Sequence, residues 1–208
     1  MQHIAVAGNI GAGKTTLVKK LATQFDWDAH FESVEDNPYL EDFYKDMPKW
    51  AFPLQIYFLH SRFNQVVNIR EREKTTIQDR TIYEDAYIFA KNLHQSGFMQ
   101  PRDFNNYFSL FQSMSRQVQS PDLLIYLRAD VPKLLQHISR RGREYEVGIS
   151  HKYLEDLNTH YEEWIAGYTH GKILIIDMKE YDYVNNPADM DAIFKQVQQA
   201  LGIYSPSV

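Results

Sequence analysis

The sequence predicts an α/β fold with a five-stranded parallel sheet flanked by helices, and three observations predict it. Short apolar runs alternate with longer stretches of helical period, the pattern of strands joined by crossover helices. No repeat or low-complexity tract interrupts that alternation. A glycine-rich octapeptide, Gly8-Asn9-Ile10-Gly11-Ala12-Gly13-Lys14-Thr15, stands between the first apolar run and a helical one. With 208 residues, 44% of them hydrophobic, the chain can bury one substantial core, so residues 1–208 are read as a single domain.

The strands expected in order are Ile4 to Ala7, His30 to Val34, Thr75 to Gln78, Leu123 to Leu127 and Ile173 to Ile176. Between them, Ile56, Leu59, Phe63 and Val66 recur at steps of three and four, which predicts a long amphipathic helix from Trp50 to about Glu73. A second long helix is expected over Phe104 to Val118, entered at Pro101. Near the end, Asn186-Pro187 reads as a cap and first turn for a helix with Ile193, Phe194, Val197 and Leu201 on one face. The cluster Arg140-Arg141-Gly142-Arg143-Glu144 predicts a mobile loop, an arginine-rich lid over about 139–148.

Composition excludes several classes of function. There are 22 basic and 27 acidic residues, a formal charge of −5, so no broad positive field draws in a nucleic-acid polymer. With no cysteine, disulfides, thiolate nucleophiles and Cys-based zinc sites are excluded. The first apolar run opens at Ile4 with no signal-type segment ahead of it, and no apolar stretch approaches the roughly 20 residues that span a bilayer. A cytoplasmic protein without membrane partners is expected.

The octapeptide carries the chemistry. Glycines let backbone N–H groups wrap an anion, and the helix that follows points its positive end at it. Lys14 then neutralises terminal phosphates and the Thr15 hydroxyl ligates magnesium, with Thr16 continuing the ATP-binding set. This makes the chain a nucleotide-dependent phosphotransferase candidate. The loop alone does not separate kinase, GTPase and ATPase. No Asn-Lys-x-Asp guanine-reading element is present, and large ATPases need a longer chain, so a small-molecule kinase leads.

Phosphoryl transfer to a hydroxyl needs a carboxylate at the acceptor, a metal ligand and cations around the moving charge. Ligands of open α/β sheets bind at strand C-termini, where Glu32 and the pair Asp79-Arg80 are found. Each has a structural alternative. Glu32 could be an edge-strand carboxylate facing water and Asp79 a helix cap. Asp177, after the apolar run Ile173 to Ile176, competes with Asp79 for the metal, and spacing does not settle the choice. Asp130 is a weaker competitor that reads as a cap ahead of Val131-Pro132. Gln55 and Arg62 stand seven apart on the long helix, so they either reach into a cleft or are interfacial residues with satisfied hydrogen bonds.

Taken in order, Gly8 to Thr15, Glu32-Ser33-Val34, Tyr44, Gln55 with Arg62, Asp79-Arg80-Thr81-Ile82-Tyr83, Asp85, and Arg141-Gly142-Arg143 with Glu146 resemble the deoxyribonucleoside kinase family, specifically the branch acting on deoxycytidine, deoxyguanosine and deoxyadenosine. The likeness runs from the first strand to the final helix. It implies a P-loop kinase fold, ATP as phosphoryl donor, Mg2+, and transfer to the 5′-hydroxyl of a deoxynucleoside. It also implies a homodimer formed through the helices around 50–73 and 83–118.

By this resemblance Glu32 is the general base, Arg80 the arginine beside it, and Asp79 stands where many members carry a metal-linked Glu. Tyr44 and Glu146 correspond to residues that hold the sugar 3′-hydroxyl, Gln55 to the base-edge amide and Phe89 to the stacking aromatic. Arg62 and Asp85 correspond to a charged pair that argues against thymine, and Arg141 and Arg143 to lid arginines over the donor phosphates. Ser33 departs from the usual Pro. His137 falls where relatives carry another arginine and is read as structural, while Asn37-Pro38-Tyr39 looks closer to bacterial purine-preferring kinases, with deoxyadenosine as the leading substrate. A nucleoside monophosphate kinase, which would need extra cations for the acceptor phosphate, is the enzymatic rival, though Tyr44, Gln55, Arg62 and Asp85 suit a neutral nucleoside better. A P-loop switch protein without turnover is the other.

Overall fold

In a computed structural model the structure describes residues 1–31, 37–146 and 148–203. Five parallel strands form the sheet, β1 (His3–Gly8), β2 (Asp28–His30), β3 (Thr76–Asp79), β4 (Leu123–Arg128) and β5 (Lys172–Asp177), in the order β2-β3-β1-β4-β5. The helices are α1 (Lys14–Phe25), α2 (Leu40–Lys45), α3 (Met47–Arg70), α4 (Ile82–Glu84), α5 (Lys91–Gln95), α6 (Pro101–Ser115), α7 (Val131–Arg141), α8 (His151–Ala166) and α9 (Pro187–Leu201). A π-helical stretch, Asp85–Ala90, joins α4 to α5, and a 3-10 turn, Glu144–Glu146, follows α7.

The period-two alternation of β1 sorts its residues between two layers. Ile4 and Val6 pack with Leu17, Val18 and Leu21 of α1, Leu134 and Ile138 of α7, and Ile193 and Val197 of α9. Ala5 and Ala7 face the other way, where their small side chains admit Tyr161 of α8 together with Ile88 and Phe89 of the π-helical stretch. Beyond that second layer a further apolar cluster joins α2, α3, α4 and α6 through Phe43, Leu54, Leu59, Ile82, Tyr107 and Phe111. Among the described residues no helix is long and apolar enough to cross a membrane.

Several boundaries differ from those expected. α3 begins at Met47, because the Asp46 side chain caps it by accepting from the Lys49 N–H at 3.3 Å and Pro48 sits in the first turn, where a missing N–H costs nothing. α6 likewise starts at Pro101 and stops at Ser115. The helical region expected from 83 onward is broken between Gln95 and Pro101, where Gly97 takes φ +76°. β2 is a short edge strand ending at His30, and Glu32 to Val34, placed in it by pattern, lie outside the described residues. The arginine-rich segment is only partly a loop: α7 continues through Arg141, its C-terminus closed by Gly142 in the left-handed conformation.

His3 at the start of β1 is buried, and its Nε2 lies 2.9 Å from Gln78 Oε1. Burial lowers its pKa from 6.5 to about 4. The unfolded chain therefore binds a proton that the fold excludes, so stability falls as pH drops from 6.5 toward 4, by up to about 1.4 kcal/mol per pH unit from this group. Urea denaturation across that range should show a shallower pH slope in His3→Gln than in the parent.

Candidate active site

The glycine-rich octapeptide turns from β1 into α1 with Gly8, Gly11 and Gly13 at φ +151°, +82° and +95°. These are angles that L side chains rarely adopt. Space forbids a side chain too: a Cβ on Gly11 would stand 2.7 Å from the Leu134 carbonyl oxygen, and one on Gly13 would collide with the Tyr183 hydroxyl. Lys14 is buried beneath the loop, its Nζ donating to the carbonyls of Gly8 at 2.7 Å and Asn9 at 3.1 Å. The Asn9 side chain is engaged with α8 and the loop itself, donating to the Leu154 carbonyl and to Asn158 Oδ1 while accepting from the Ile10 N–H.

Thr15 is the second residue of α1, and its hydroxyl donates to Asp79 Oδ2 at 2.5 Å. Asp79 ends β3 directly opposite Val6 of β1, and its buried Oδ1 has no hydrogen-bond partner among the described residues. An orphan carboxylate oxygen beside a threonine hydroxyl and a phosphate loop suits a hard cation that takes its remaining ligands from phosphate and water. The rival carboxylates are elsewhere. Asp130 caps α7 through the Lys133 N–H, Asp177 accepts from the Lys179 N–H, and both line a groove that contains neither Lys14 nor Thr15.

Two adjoining hollows meet at Gly11, Lys14 and Thr15. One, of about 420 Å³, is walled by Thr16, Lys133, His137, Arg140, Tyr183 and Asn185. The other, of about 510 Å³, runs between the sheet edge and α3 and is walled by Tyr44, Gln55, Asp79, Arg80, Asp85 and Phe89, with Phe31, Ile10 and Tyr153 also facing it. Arg141 and Arg143 border both. Of the described residues in the sequence-predicted set, the two hollows bring together all but Gly8, Asn9 and Ala12, which form the body of the loop, and Arg62, which stands one layer behind the wall.

Arg62 and Asp85 are both buried, 3.5 Å apart between Nε and Oδ2, and Arg62 also donates to the Asp79 carbonyl at 3.1 Å. Gln55, buried on the same helix, has an Oε1 without a partner among the described residues. Phe89 lies on the π-helical stretch under the Arg80 guanidinium, 4.2 Å from ring centre to cation. Arg80 itself adopts φ +71°, a costly conformation for a side chain of its size, held by its N–H donating to Val6 at 2.9 Å.

The lid arginines are engaged. Arg141 donates from Nη2 to both oxygens of Glu146 at 2.6 Å, and Arg143 Nη1 reaches the same carboxylate at 3.5 Å. Glu146 is buried, so its charge is matched by the two guanidinium groups. Tyr44 stacks on Tyr145 at 5.5 Å, and burial, reinforced by the neighbouring Tyr153 and Glu146, drives its hydroxyl pKa up.

Sequence reasoning missed the group that ties the loop to the acceptor side, Glu84. Its Oε2 accepts from the Thr81 N–H at 2.7 Å in a capping box, while Oε1 accepts from the Gly8 N–H at 3.3 Å and from the Tyr161 hydroxyl at 2.8 Å. Burial raises its carboxyl pKa, with Arg80 and Lys14 pulling the other way. The Thr81-x-x-Glu84 spacing could have revealed the cap, though not the long-range bonds. Tyr183, whose hydroxyl donates to the Gly13 carbonyl at 2.9 Å, was also missed. His137 Nδ1 lies 2.7 Å from the Gly11 carbonyl oxygen, and the residue also walls the hollow beside Thr16. Glu32 lies outside the described residues, two positions beyond the end of β2.

A model of the family described as deoxynucleoside kinase matches residues 4–202. A deoxyadenosine/deoxycytidine kinase of Bacillus subtilis is 41% identical over 200 residues, covering 95% of this chain and 92% of that protein. A deoxyadenosine kinase of Dictyostelium discoideum is 47% identical over 163 residues, 78% of this chain and 66% of that one. Among solved structures, deoxyadenosine kinase from M. mycoides with bound dATP superposes with a TM-score of 0.84 at 31% identity, covering 95% of this chain and all of its own.

Removing the Glu84 carboxylate by Glu84→Ala leaves the Gly8 and Thr81 N–H groups buried without acceptors and should cost about 3 kcal/mol in urea denaturation. A loss within about 0.5 kcal/mol, the range of ordinary surface substitutions, would contradict this role.

Proposed function

Because this chain belongs to the deoxynucleoside kinase family, we propose that the 510 Å³ cleft seats a deoxynucleoside while the hollow beside Thr16 and His137 seats its phosphoryl donor. The chain is an ATP-dependent phosphotransferase, and it moves the γ-phosphate of ATP to the 5′-hydroxyl of a deoxynucleoside. What supports the proposal about its site is the meeting of the two hollows at Lys14 and Thr15, where a donor in one and an acceptor in the other would come together.

On the donor side, the N–H groups of the loop from Gly8 to Thr15 and the Lys14 ammonium hold the β and γ phosphates. Thr15 Oγ1 and Asp79 are the oxygens this chain offers to magnesium, which when bound draws charge from the phosphate oxygens. Glu32 orients the 5′-hydroxyl and takes its proton, with Arg80 alongside to stabilise the developing charge. On donor binding, Arg141 and Arg143 exchange Glu146 for phosphate oxygens. The exchange leaves Glu146 and Tyr44 for the sugar 3′-hydroxyl and closes the site to water, whose attack would otherwise hydrolyse the triphosphate.

On the acceptor side, Phe89 stacks on the base and the Gln55 amide reads its edge. Asp85 presents a carboxylate held by Arg62, an acceptor suited to the exocyclic amine of adenine or cytosine. Thymine offers a carbonyl at the corresponding edge, so two acceptors would face each other. We favour deoxyadenosine, then deoxycytidine, in keeping with the named substrates of the Bacillus and Dictyostelium relatives. The working form is taken to be a cytoplasmic, single-domain homodimer joined through α3 and α6, where Leu110 stands exposed.

Glu32→Gln should keep nucleoside binding, measured by calorimetry, while the chemical step in rapid quench falls by about 10²-fold or more. Near-normal turnover would refute the assignment. In a panel of the four deoxynucleosides with labelled ATP, thymidine should be the poorest acceptor, and a preference for thymidine would overturn the role given to Asp85.

A further inference from the structure

Tyr161, buried on α8 and stacked on Tyr126 at 5.7 Å, points its hydroxyl at the start of the phosphate loop. The oxygen lies 2.8 Å from the Gly8 carbonyl and 2.8 Å from Glu84 Oε1. Burial, reinforced by Glu84, drives its pKa up, so the hydroxyl keeps its proton and donates. Gly8 gives its own N–H to the same Glu84 oxygen, and the three bonds close a ring about this one residue. Gly8 is also pressed against β4, where a Cβ on it would stand 2.9 Å from the Leu127 carbonyl oxygen. A phenylalanine at 161 would fill the same space against Ala5 and Ala7, so packing does not call for the hydroxyl.

Tyr161 is the last of three residues, at i, i+4 and i+7 on one stripe of α8, that hold the loop. Leu154 and Asn158 secure the Asn9 side chain, through the Leu154 carbonyl at 2.9 Å and Asn158 Oδ1 at 2.8 Å. These contacts fall on the two residues whose carbonyls seat Lys14, for Nζ donates to Gly8 and to Asn9. The Lys14 ammonium and the Tyr161 hydroxyl therefore meet on one carbonyl oxygen. A lysine carries a point charge on a flexible stem, and the oxygens it bonds decide where that charge stands.

We propose that Tyr161 is a positioning residue for the donor phosphates: its hydroxyl fixes the Gly8 carbonyl and, through that oxygen, the Lys14 ammonium. It lines neither hollow and acts from behind the loop. Nucleoside binding is left alone, because Glu84 keeps its second oxygen on the Thr81 N–H at 2.7 Å whether or not the hydroxyl is present. This rests on the role given above to Lys14.

The test titrates MgATP and deoxyadenosine separately into the parent, Tyr161→Phe, Asn158→Leu, Tyr126→Phe and Lys14→Met by calorimetry, with thermal midpoints alongside. Tyr161→Phe should weaken MgATP by about five- to tenfold, the worth of one buried hydrogen bond, while deoxyadenosine affinity stays within about twofold. Asn158→Leu should weaken MgATP in the same selective way, and it decides the matter if Tyr161→Phe does not fold. Tyr126→Phe removes a comparably buried hydroxyl, bonded to Glu162 and not to the loop, and should change neither affinity. Equal losses on both ligands in Tyr161→Phe would overturn the inference, as would a matching MgATP loss in Tyr126→Phe. If Lys14→Met weakens MgATP and Tyr161→Phe does not, the link through Tyr161 fails and the phosphate role of Lys14 stands. If Lys14→Met binds MgATP as the parent does, that role fails and takes this inference with it.

Discussion

The site depends on the parallel pairing of β1 with β3, which sets Val6 opposite Asp79. That register delivers the phosphate loop and the Asp79-Arg80 pair side by side at one edge of the sheet. Three bonds follow from it: Thr15 to Asp79, the Arg80 N–H to Val6, and the Gly8 N–H to Glu84. A slip of one residue would turn Asp79 to the opposite face and break all three. The left-handed backbone at Arg80 is tolerated because these neighbours over-determine it.

Charge is distributed across the two hollows so that each buried ion has a counterpart. Asp85 is matched by Arg62, Glu146 by Arg141 and Arg143, and Glu84 by proximity to Arg80 and Lys14. Such pairs add little net stability, since desolvation offsets most of the attraction. For that same reason a phosphate brought near Arg141 would compete with Glu146 for it. Under the proposed function, the arginines bordering both hollows would respond to the donor and free Glu146 for the acceptor. Asp79 differs, holding an oxygen that has no partner among the described residues, beside the Thr15 hydroxyl where the hollows meet.

Much of this was legible in the sequence because it is local. The loop from Gly8 to Thr15 declares itself by residue type and spacing, and the strands β1, β4 and β5 by unbroken apolar runs. The short edge strand β2 was misplaced because its pattern at Asp28–His30 is not apolar. The π-helical stretch that carries Asp85 and Phe89 and packs Ile88 and Phe89 with Ala5 and Ala7 has no residue pattern that marks it in the sequence. Glu84, Tyr161 and Tyr183 were missed for a common reason. Each acts across a large separation in the chain, and only the folded sheet brings its partners near.

The account makes the neutral nucleoside the acceptor and the closed lid the guard against water. The most direct measurement follows ADP release and product identity together, by mass spectrometry, with ATP and magnesium in the presence of deoxyadenosine, of deoxyadenosine monophosphate, or of no acceptor. ADP should appear in equal amount with the 5′-monophosphate when the nucleoside is supplied, and only at a slow background rate otherwise. Rapid ADP release without acceptor, or faster phosphorylation of the monophosphate than of the nucleoside, would contradict it.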